Sequence, residues 1–592
     1  MHKLVRGGQL SLHAIRMLVQ VFAATGKWAL TVFILGALYL CILKIDMGIL
    51  SNSYYYSIAW AFDEMDLGDY KLFVNQKYIP AKYILTTLTY LLSFNRVVTL
   101  IVNSLYMSGV ITLGLWSIFL VFFYFRGRSG FHKKQVRGNY LVNKEELARL
   151  TYFANRKANY KAYKLSEIQY PPQSETLHTM ISGSTGSGKT VLISDLVAQI
   201  KARGDRAIIY DKMGSYTEKF YDSSKDIILN PFDERSAAWN LFKEVRTAAN
   251  FDSIAASFIP IDKGIADPFW TKAARTIFSE VCGILLERGG AKNQEIVNLL
   301  LKKDLKEVSK LIKGTPAQAI IDEQSPKTAL SVMSVLSTYL KSLKHLKNEG
   351  ESFSIRDWVL DEQADNCLFI TSKGDLHHAL MPIISAWLEI AINNMLSLNQ
   401  SRDRKIWVIL DELPSLHYLP SLEQGLAETR QFGGCFVLGV QSIPQLRSRY
   451  GRDVSETISS LCGSKIILRN PDQDTARWCS ENLGYSEVEE FREGLSYGAH
   501  AMRDGVNLSR EKTIKPIVMP TEIMSLKNLE GYLSFCNQYP VTKIAIKYKP
   551  WPKVAEKFVE ASIIEASIKP DDDSSNVDEE VEVLNYTELE NL

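Results

Sequence analysis

Two stretches of this chain stay apolar for longer than an element of a soluble domain needs. Residues 28–43 are almost uniformly apolar, and with Lys44 reaching outward along its aliphatic stem and 45–47 added, the run approaches the roughly 20 residues with which a helix crosses a bilayer. Residues 97–125 form a longer and stronger run. The pattern predicts transmembrane helices at 28–47 and 97–125, with a loop over 48–96 between them. A cleaved leader fits the first run poorly, because it starts late and lacks a small-x-small cleavage site. Within the second run Asn103 stands out, either as an interhelical hydrogen-bonding group or as a tolerated polar residue.

Beyond 126 the rhythm changes. Short apolar runs recur at 177–181, 207–210, 367–371, 406–410, 436–440 and 465–468, separated by segments with helical spacing such as Val191, Ile193, Leu196, Val197 and Ile200. Strands alternating with helices predict an α/β body with a mostly parallel sheet over 126–240 and 352–565. In 241–351 the strand signature vanishes. Trp270, Ala273, Ala274, Ile277, Phe278, Val281, Ile284 and Leu285 repeat at helical spacing, which predicts an all-α insertion domain. The last residues, 566–592, contain Asp571, Asp572, Asp573, Asp578, Glu579, Glu580, Glu582, Glu588 and Glu590 without a Lys or Arg after 570, and predict a flexible acidic tail that either solvates a terminus or docks on a basic partner.

Charge adds an orientation. The net charge of +2 over 592 residues hides a segregation: Lys3, Arg6, Arg16 and Lys27 precede the first apolar run, and Arg126, Arg128, Lys133, Lys134 and Arg137 follow the second. The loop between balances its acids and bases. Positive flanks stay inside, so 1–27 and everything after about 126 are expected in the cytoplasm and 48–96 in the periplasm. Lys302, Lys303, Lys306, Lys310, Lys313, Lys341, Lys344, His345 and Lys347 of the insertion read as a solvated helix face or as a track for phosphates. Seven cysteines are scattered with no CxxC pair, which points to small buried hydrophobes in a reducing compartment rather than disulfides or a metal centre.

Candidate chemistry lies at two points on the α/β pattern. Gly183, Ser184, Thr185, Gly186, Ser187, Gly188, Lys189 and Thr190 read GSTGSGKT between a predicted strand and a predicted helix. Glycines there let backbone N–H groups crowd a phosphate, Lys189 reaches the β and γ phosphates, and the Thr190 hydroxyl ligates Mg²⁺. Asp411 and Glu412 close the apolar run 406–410. Asp411 would share the metal with Thr190, and Glu412 would polarise the attacking water. ATP with Mg²⁺ is therefore the expected cofactor pair. Gln441 ends the next strand, where it would sense the γ-phosphate. Arg430 fits an arginine finger given to a neighbouring subunit, with Arg469 a second candidate. Asp211 and Lys212 are expected to shape the site.

These residues, with NPFDERSAAWNLFKE (230–244), DPFWTKAARTIFSE (267–280), FSIRDW (353–358), DELPSLHYLP (411–420), FGGCFVLGVQS (432–442) and SYGAHAMRDGV (496–506), make the chain resemble the type IV secretion coupling proteins, near the TraD branch of F-type conjugation systems. The resemblance covers most of the body. It implies a RecA-like P-loop domain of the FtsK and HerA type with an all-α insertion domain, anchored in the bacterial inner membrane by two N-terminal transmembrane helices. It further implies a homo-hexameric ring that hydrolyses ATP to feed relaxase-bound single-stranded DNA into a type IV secretion channel, with Lys189, Thr190, Asp411, Glu412, Arg430 and Gln441 on the family's nucleotide-site positions. The resemblance departs at the C terminus, where F-type proteins carry a longer Pro/Gln-rich extension. A receptor hub that does not pump, and a secretion ATPase for protein alone, are the competing expectations. No LSGGQ-like signature separates the two nucleotide motifs, which excludes an ABC transporter.

Overall fold

The computed structural model of the chain describes residues 2–130, 134–247, 250–261, 268–289, 292–302, 305–321, 326–347, 350, 352–496, 505–536 and 539–561. Lys133, Lys303, most of the 496–506 motif and the acidic tail lie outside the described residues. The chain divides into two compact units, Met1–Lys134 with Glu489–Lys512, and Gln135–Val488 with Thr513–Leu592. The sequence pattern leaves Glu489–Lys512 inside the α/β body. Its strands, Tyr485–Ser496 and Gly505–Pro516, interleave charges so densely that no apolar run announces them.

In the first unit, α1 (His2–Lys44) and α2 (Leu88–Gly130) are long helices whose apolar spans, Leu18–Lys44 and Leu88–Arg126, suffice to cross a membrane by length and composition. Both helices begin before the predicted starts at 28 and 97, since nothing upstream breaks them. Thr25 and Thr31 satisfy their hydroxyls on the carbonyls of Val21 and Lys27, one turn back. The helices meet at small residues: the Ser108 hydroxyl donates to the Phe33 carbonyl at 2.8 Å, and a Cβ on Gly36 would sit 2.9 Å from that hydroxyl. Ser108 thus makes the interhelical bond, while Asn103 is exposed. The expected loop is structured, with a helix Met47–Glu64, a hairpin pairing Lys71–Val74 with Lys77–Pro80, and a small core of Ala59, Val74, Ala81 and Ile84. Asn75 and Gln76 turn the hairpin, both in the left-handed region at φ of 45° and 70°.

The second unit is built on a 10-stranded sheet. Its strands in chain order are β1 (Leu141–Val142), β2 (Thr179–Ser182), β3 (Arg206–Asp211), β4 (Ile227–Leu229), β5 (Cys367–Thr371), β6 (Ile406–Leu410), β7 (Gly434–Val440), β8 (Ser464–Leu468), β9 (Glu530–Ser534) and β10 (Val541–Ala545). Across the sheet they run β1-β10-β9-β8-β2-β7-β6-β3-β5-β4, parallel from β8 to β4 and antiparallel at β8-β9 and β9-β10. The parallel strands bury both faces. Ile208 and Tyr210 of β3 enter the same core as Val408 of β6 and Leu438 of β7, whereas Ile209, Trp407, Ile409 and Val437 enter the opposite one. Double burial is why these strands read as unbroken apolar runs. The strand predicted at 177–181 starts later, at Thr179, because Ser174–Leu177 form a 3-10 turn and His178 follows at φ 60°.

The described residues of 241–351 form helices and turns without a strand, with Asn250–Phe258, Phe269–Glu287 and Pro326–Leu340 packing Phe251, Phe258, Ile277, Phe278 and Leu336 into the core that also covers one sheet face. The insertion leaves and re-enters the body side by side, through the parallel pairing of Ala238–Trp239 with Ser352–Phe353. The buried Glu244 carboxylate locks this root. It accepts from Trp239 Nε1 at 2.8 Å and from the N–H groups of Ile355 and Arg356 at 2.7 and 2.8 Å, and burial pushes its pKa up to about 7. Lys347 ends here too, donating to the Glu234 carbonyl at 2.5 Å, so it belongs to the root and not to a solvated face. A strap, residues 547–561, then crosses the body: Trp551 packs on Phe220, Val554 donates to the Glu218 carbonyl, and Ala561 N–H donates to the Phe232 carbonyl at 2.9 Å.

Candidate active site

Between β2 and helix α3 (Lys189–Arg203), the loop Gly183–Gly188 turns through left-handed glycines at Gly186 (φ 75°) and Gly188 (φ 119°). Three neighbours brace it. Gly183 N–H donates to Val440 O at 3.0 Å, Ser184 N–H to Arg469 O at 2.9 Å, and Ser187 O accepts from Leu529 N–H at 3.0 Å. A Cβ on Gly183 would meet the Ser187 hydroxyl at 2.5 Å and Leu468 at 2.9 Å, so only glycine fits. The first N–H groups of α3 have no partner within the helix, and with the positive end of its dipole they would attract an anion.

Lys189 is buried, its ammonium resting on the Gly183 carbonyl at 2.5 Å. Burial lowers its pKa, against the pull of Glu412 and Asp411. Those two carboxylates follow β6, and Asp411 Oδ1 and both carboxylate oxygens of Glu412 are buried without a hydrogen-bond partner. Burial raises both acids. Glu412 is pushed up to about 7, with Lys189 and the adjacent Gln441 opposing and Asp411 adding, while for Asp411 the neighbouring Tyr216 and Lys189 oppose the rise and Asp211 adds to it. Buried, unpartnered oxygens beside one ammonium are costly on their own, and they fit an arriving divalent cation and an ordered water. Thr190 and Asp411 would hold the cation, a small protein share typical of Mg²⁺ that arrives with phosphates and water. Among the described residues no cluster of three or more His, Cys, Asp or Glu could hold a metal by itself.

The remaining predicted residues divide by location. Gln441 follows β7 into the site, where its Oε1 accepts from the Thr185 hydroxyl at 3.0 Å. Asp211 ends β3 and shapes the site from behind, accepting from the N–H groups of Ser215, Tyr216 and Thr217, each at 2.8 Å, and from the Thr217 hydroxyl at 2.9 Å. That turn buries Tyr216 beside Asp411. Burial, then the charges of Asp411 and Asp211, raise its phenol, so it stands there as a neutral group. No motif in the sequence marks Tyr216. Arg469 braces its own chain's loop through its carbonyl, which accepts from both the N–H and the hydroxyl of Ser184, and this ties it to the site in cis. Arg430 is not brought to the site. It lies exposed in the turn Thr429–Phe432 before the amino end of β7, while Gln441 follows the carboxyl end. All seven cysteines are free, and Cys282, Cys367, Cys435, Cys462 and Cys479 are buried.

Comparison with known proteins places this geometry. Residues 162–547 match the family described as type IV secretion-system coupling protein DNA-binding domain. The chain is 36% identical over 406 residues to the coupling protein TraD of Escherichia coli (strain K12), covering 68% of this chain and 56% of that protein, so it spans little more than half of that relative's length. The conjugal transfer protein TraG of Rhizobium radiobacter is 29% identical over 189 residues, 31% of this chain and 28% of its own. Among solved structures, the plasmid coupling protein TrwB in complex with ADP and Mg²⁺ matches with a TM-score of 0.65 at 30% identity, covering 73% of this chain and 97% of that one. TrwB with a non-hydrolysable ATP analogue matches at 0.64 and 29%, covering 73% and 98%.

Proposed function

Because this chain belongs to the type IV secretion-system coupling proteins, we propose that it is a membrane-anchored homo-hexameric ATPase of conjugative transfer, which couples relaxase-bound single-stranded DNA to a type IV secretion channel and drives its passage. Two helices able to cross a membrane, flanked by positive charge, support an inner-membrane anchor with the body in the cytoplasm. The cofactors are ATP and Mg²⁺, the pair whose hydrolysed form TrwB holds in its ADP complex.

The chain's own groups divide the work. Lys189 gives up the Gly183 carbonyl for the β and γ phosphates, and the loop amides and α3 bind the same oxygens. Thr190 and Asp411 hold the metal, which when bound neutralises charge on the phosphoryl oxygens. Glu412 orients the attacking water and accepts its proton. Gln441, bonded to Thr185, reads whether the γ-phosphate is present. Arg430, remote from the loop of its own chain, serves the nucleotide of the next copy in the ring, where the transition state gathers negative charge. The observation that carries this reading is the set of buried, unpartnered oxygens of Asp411 and Glu412 facing Lys189 at the phosphate loop.

The test is Mg²⁺-dependent ATP hydrolysis by the full-length protein in lipid nanodiscs, with and without single-stranded DNA. Hydrolysis should rise with DNA, and Lys189→Ala should abolish it while cargo binding persists. Hydrolysis indifferent to DNA in an assembled ring would favour a protein-only motor. Transfer retained by Lys189→Ala would favour a receptor that does not pump.

A further inference from the structure

The sheet order puts β6 between the loop-bearing half of the sheet, β2 and β7, and the half made by β3, β5 and β4. Across the end of β6, lined from both its β3 and its β7 neighbours, a cavity of about 510 Å³ opens at the carboxyl ends of the strands. Lys212 after β3, His377 and His378 at the start of a helix α4 (His377–Met395), Arg449 on a helix α5 (Ile443–Tyr450), Gln441 and Glu412 line it. Glu412 is the sole acid of this lining, set against the cations Lys212 and Arg449. The cavity therefore carries unbalanced positive charge at the same strand ends that carry the hydrolytic carboxylate.

Its wall is wired to that carboxylate. His377 Nε2–H donates to the Ser415 carbonyl at 3.0 Å and its Nδ1 lies 3.0 Å from the Ser372 hydroxyl, so the ring is a fixed strut. The Ser415 hydroxyl in turn donates to the Glu412 carbonyl at 2.7 Å, and Tyr210 OH lies 2.9 Å from it. A group gripped between Lys212 and Arg449 bears on the turn that aims Glu412. The volume exceeds what a lone phosphate needs and suits a segment of an anionic chain.

We propose that this cavity binds a backbone phosphodiester of single-stranded DNA, and that its occupancy sets the turn carrying Glu412, so that an engaged strand promotes hydrolysis. The inference rests on the DNA-translocating function proposed above and adds where the strand meets the hydrolytic machinery. Orthophosphate leaving the nucleotide site has the same chemistry, and the experiment separates the two sources.

Full-length protein in nanodiscs is assayed for hydrolysis with and without oligo-dT, for oligo-dT binding by fluorescence anisotropy across salt concentrations, and for inhibition by orthophosphate. Arg449→Gln should leave hydrolysis without DNA within about twofold, remove most of the DNA stimulation, and reduce the salt slope of binding by about one phosphate contact. Arg449→Lys should retain most of the stimulation. Ser448→Asp, exposed on α5, puts a negative charge into the same cavity and should act like Arg449→Gln, which guards against a variant that merely misfolds. Full stimulation with an unchanged salt slope in Arg449→Gln and Ser448→Asp overturns the proposal. So does a change confined to orthophosphate inhibition, which would make the cavity a product exit. A wild-type protein indifferent to DNA would instead overturn the translocase reading itself, with this proposal falling as its consequence.

Discussion

Glu412 is an acid that burial holds half-protonated near neutrality. With its pKa pushed up to about 7, the carboxylate is a competent base only above that pH, so kcat/KM for ATP should fall about tenfold per unit as pH drops below 7. Glu412→Gln should lower hydrolysis by about 10²- to 10⁴-fold, flatten that acid limb and leave Mg²⁺-nucleotide binding in place. A limb that bends near 4 in the wild type would assign the base elsewhere. His178 works through stability rather than rate. Its Nε2–H donates to the Leu426 carbonyl at 2.7 Å and its Nδ1 accepts the Phe436 N–H at 3.2 Å, an arrangement available only to the neutral ring. Burial lowers its pKa from 6.5 to about 4, so its stabilisation is complete above 6.5 and is lost as pH falls towards 4. The loss amounts to roughly 3 kcal/mol. Melting temperature measured from pH 7 to 4 should drop less steeply in His178→Gln than in the wild type.

Between elements, the decisive contact is the one where β7 passes the end of β6. A Cβ on Gly439 would stand 1.9 Å from the Asp411 carbonyl, so Gly439→Ala must displace either strand end and with it both carboxylates. Hydrolysis should fall at least a hundredfold and the melting temperature should drop. Gly283→Ala, where nothing lies within 4 Å, serves as the neutral control. At this scale the sequence is legible where burial is two-sided. The runs 207–210, 367–371, 406–410, 436–440 and 465–468 fall within β3, β5, β6, β7 and β8, and GSTGSGKT falls on the strand-to-helix turn that the motif demands. It is illegible where strands are short or mixed in polarity, as in β1, β4, β9 and β10, or where partners lie far apart in the chain. Nothing local marks Tyr216 as a neighbour of Asp411, or the 230–244 motif as the root of the helical insertion. Asn103 and Ser108 show the same limit, since the helical pattern does not say which polar residue faces the other helix.

For the assembled protein, the separation of Arg430 from its own phosphate loop makes a stoichiometric demand. Neither Lys189→Ala nor Arg430→Ala protein should hydrolyse ATP alone, yet a mixed population should recover part of the wild-type rate. On the proposed trans arrangement, a Lys189→Ala copy would still lend its arginine to an Arg430→Ala neighbour whose loop is intact. Absence of rescue in hexamers verified as mixed would place Arg430 outside the reaction. The strap also reaches the root of the insertion. By hydrogen-bonding Ala561 to Phe232, it pins residue 561 to the segment that leads into the root of the helical insertion. A dye attached at 561 should therefore report any movement of the helical insertion relative to the body.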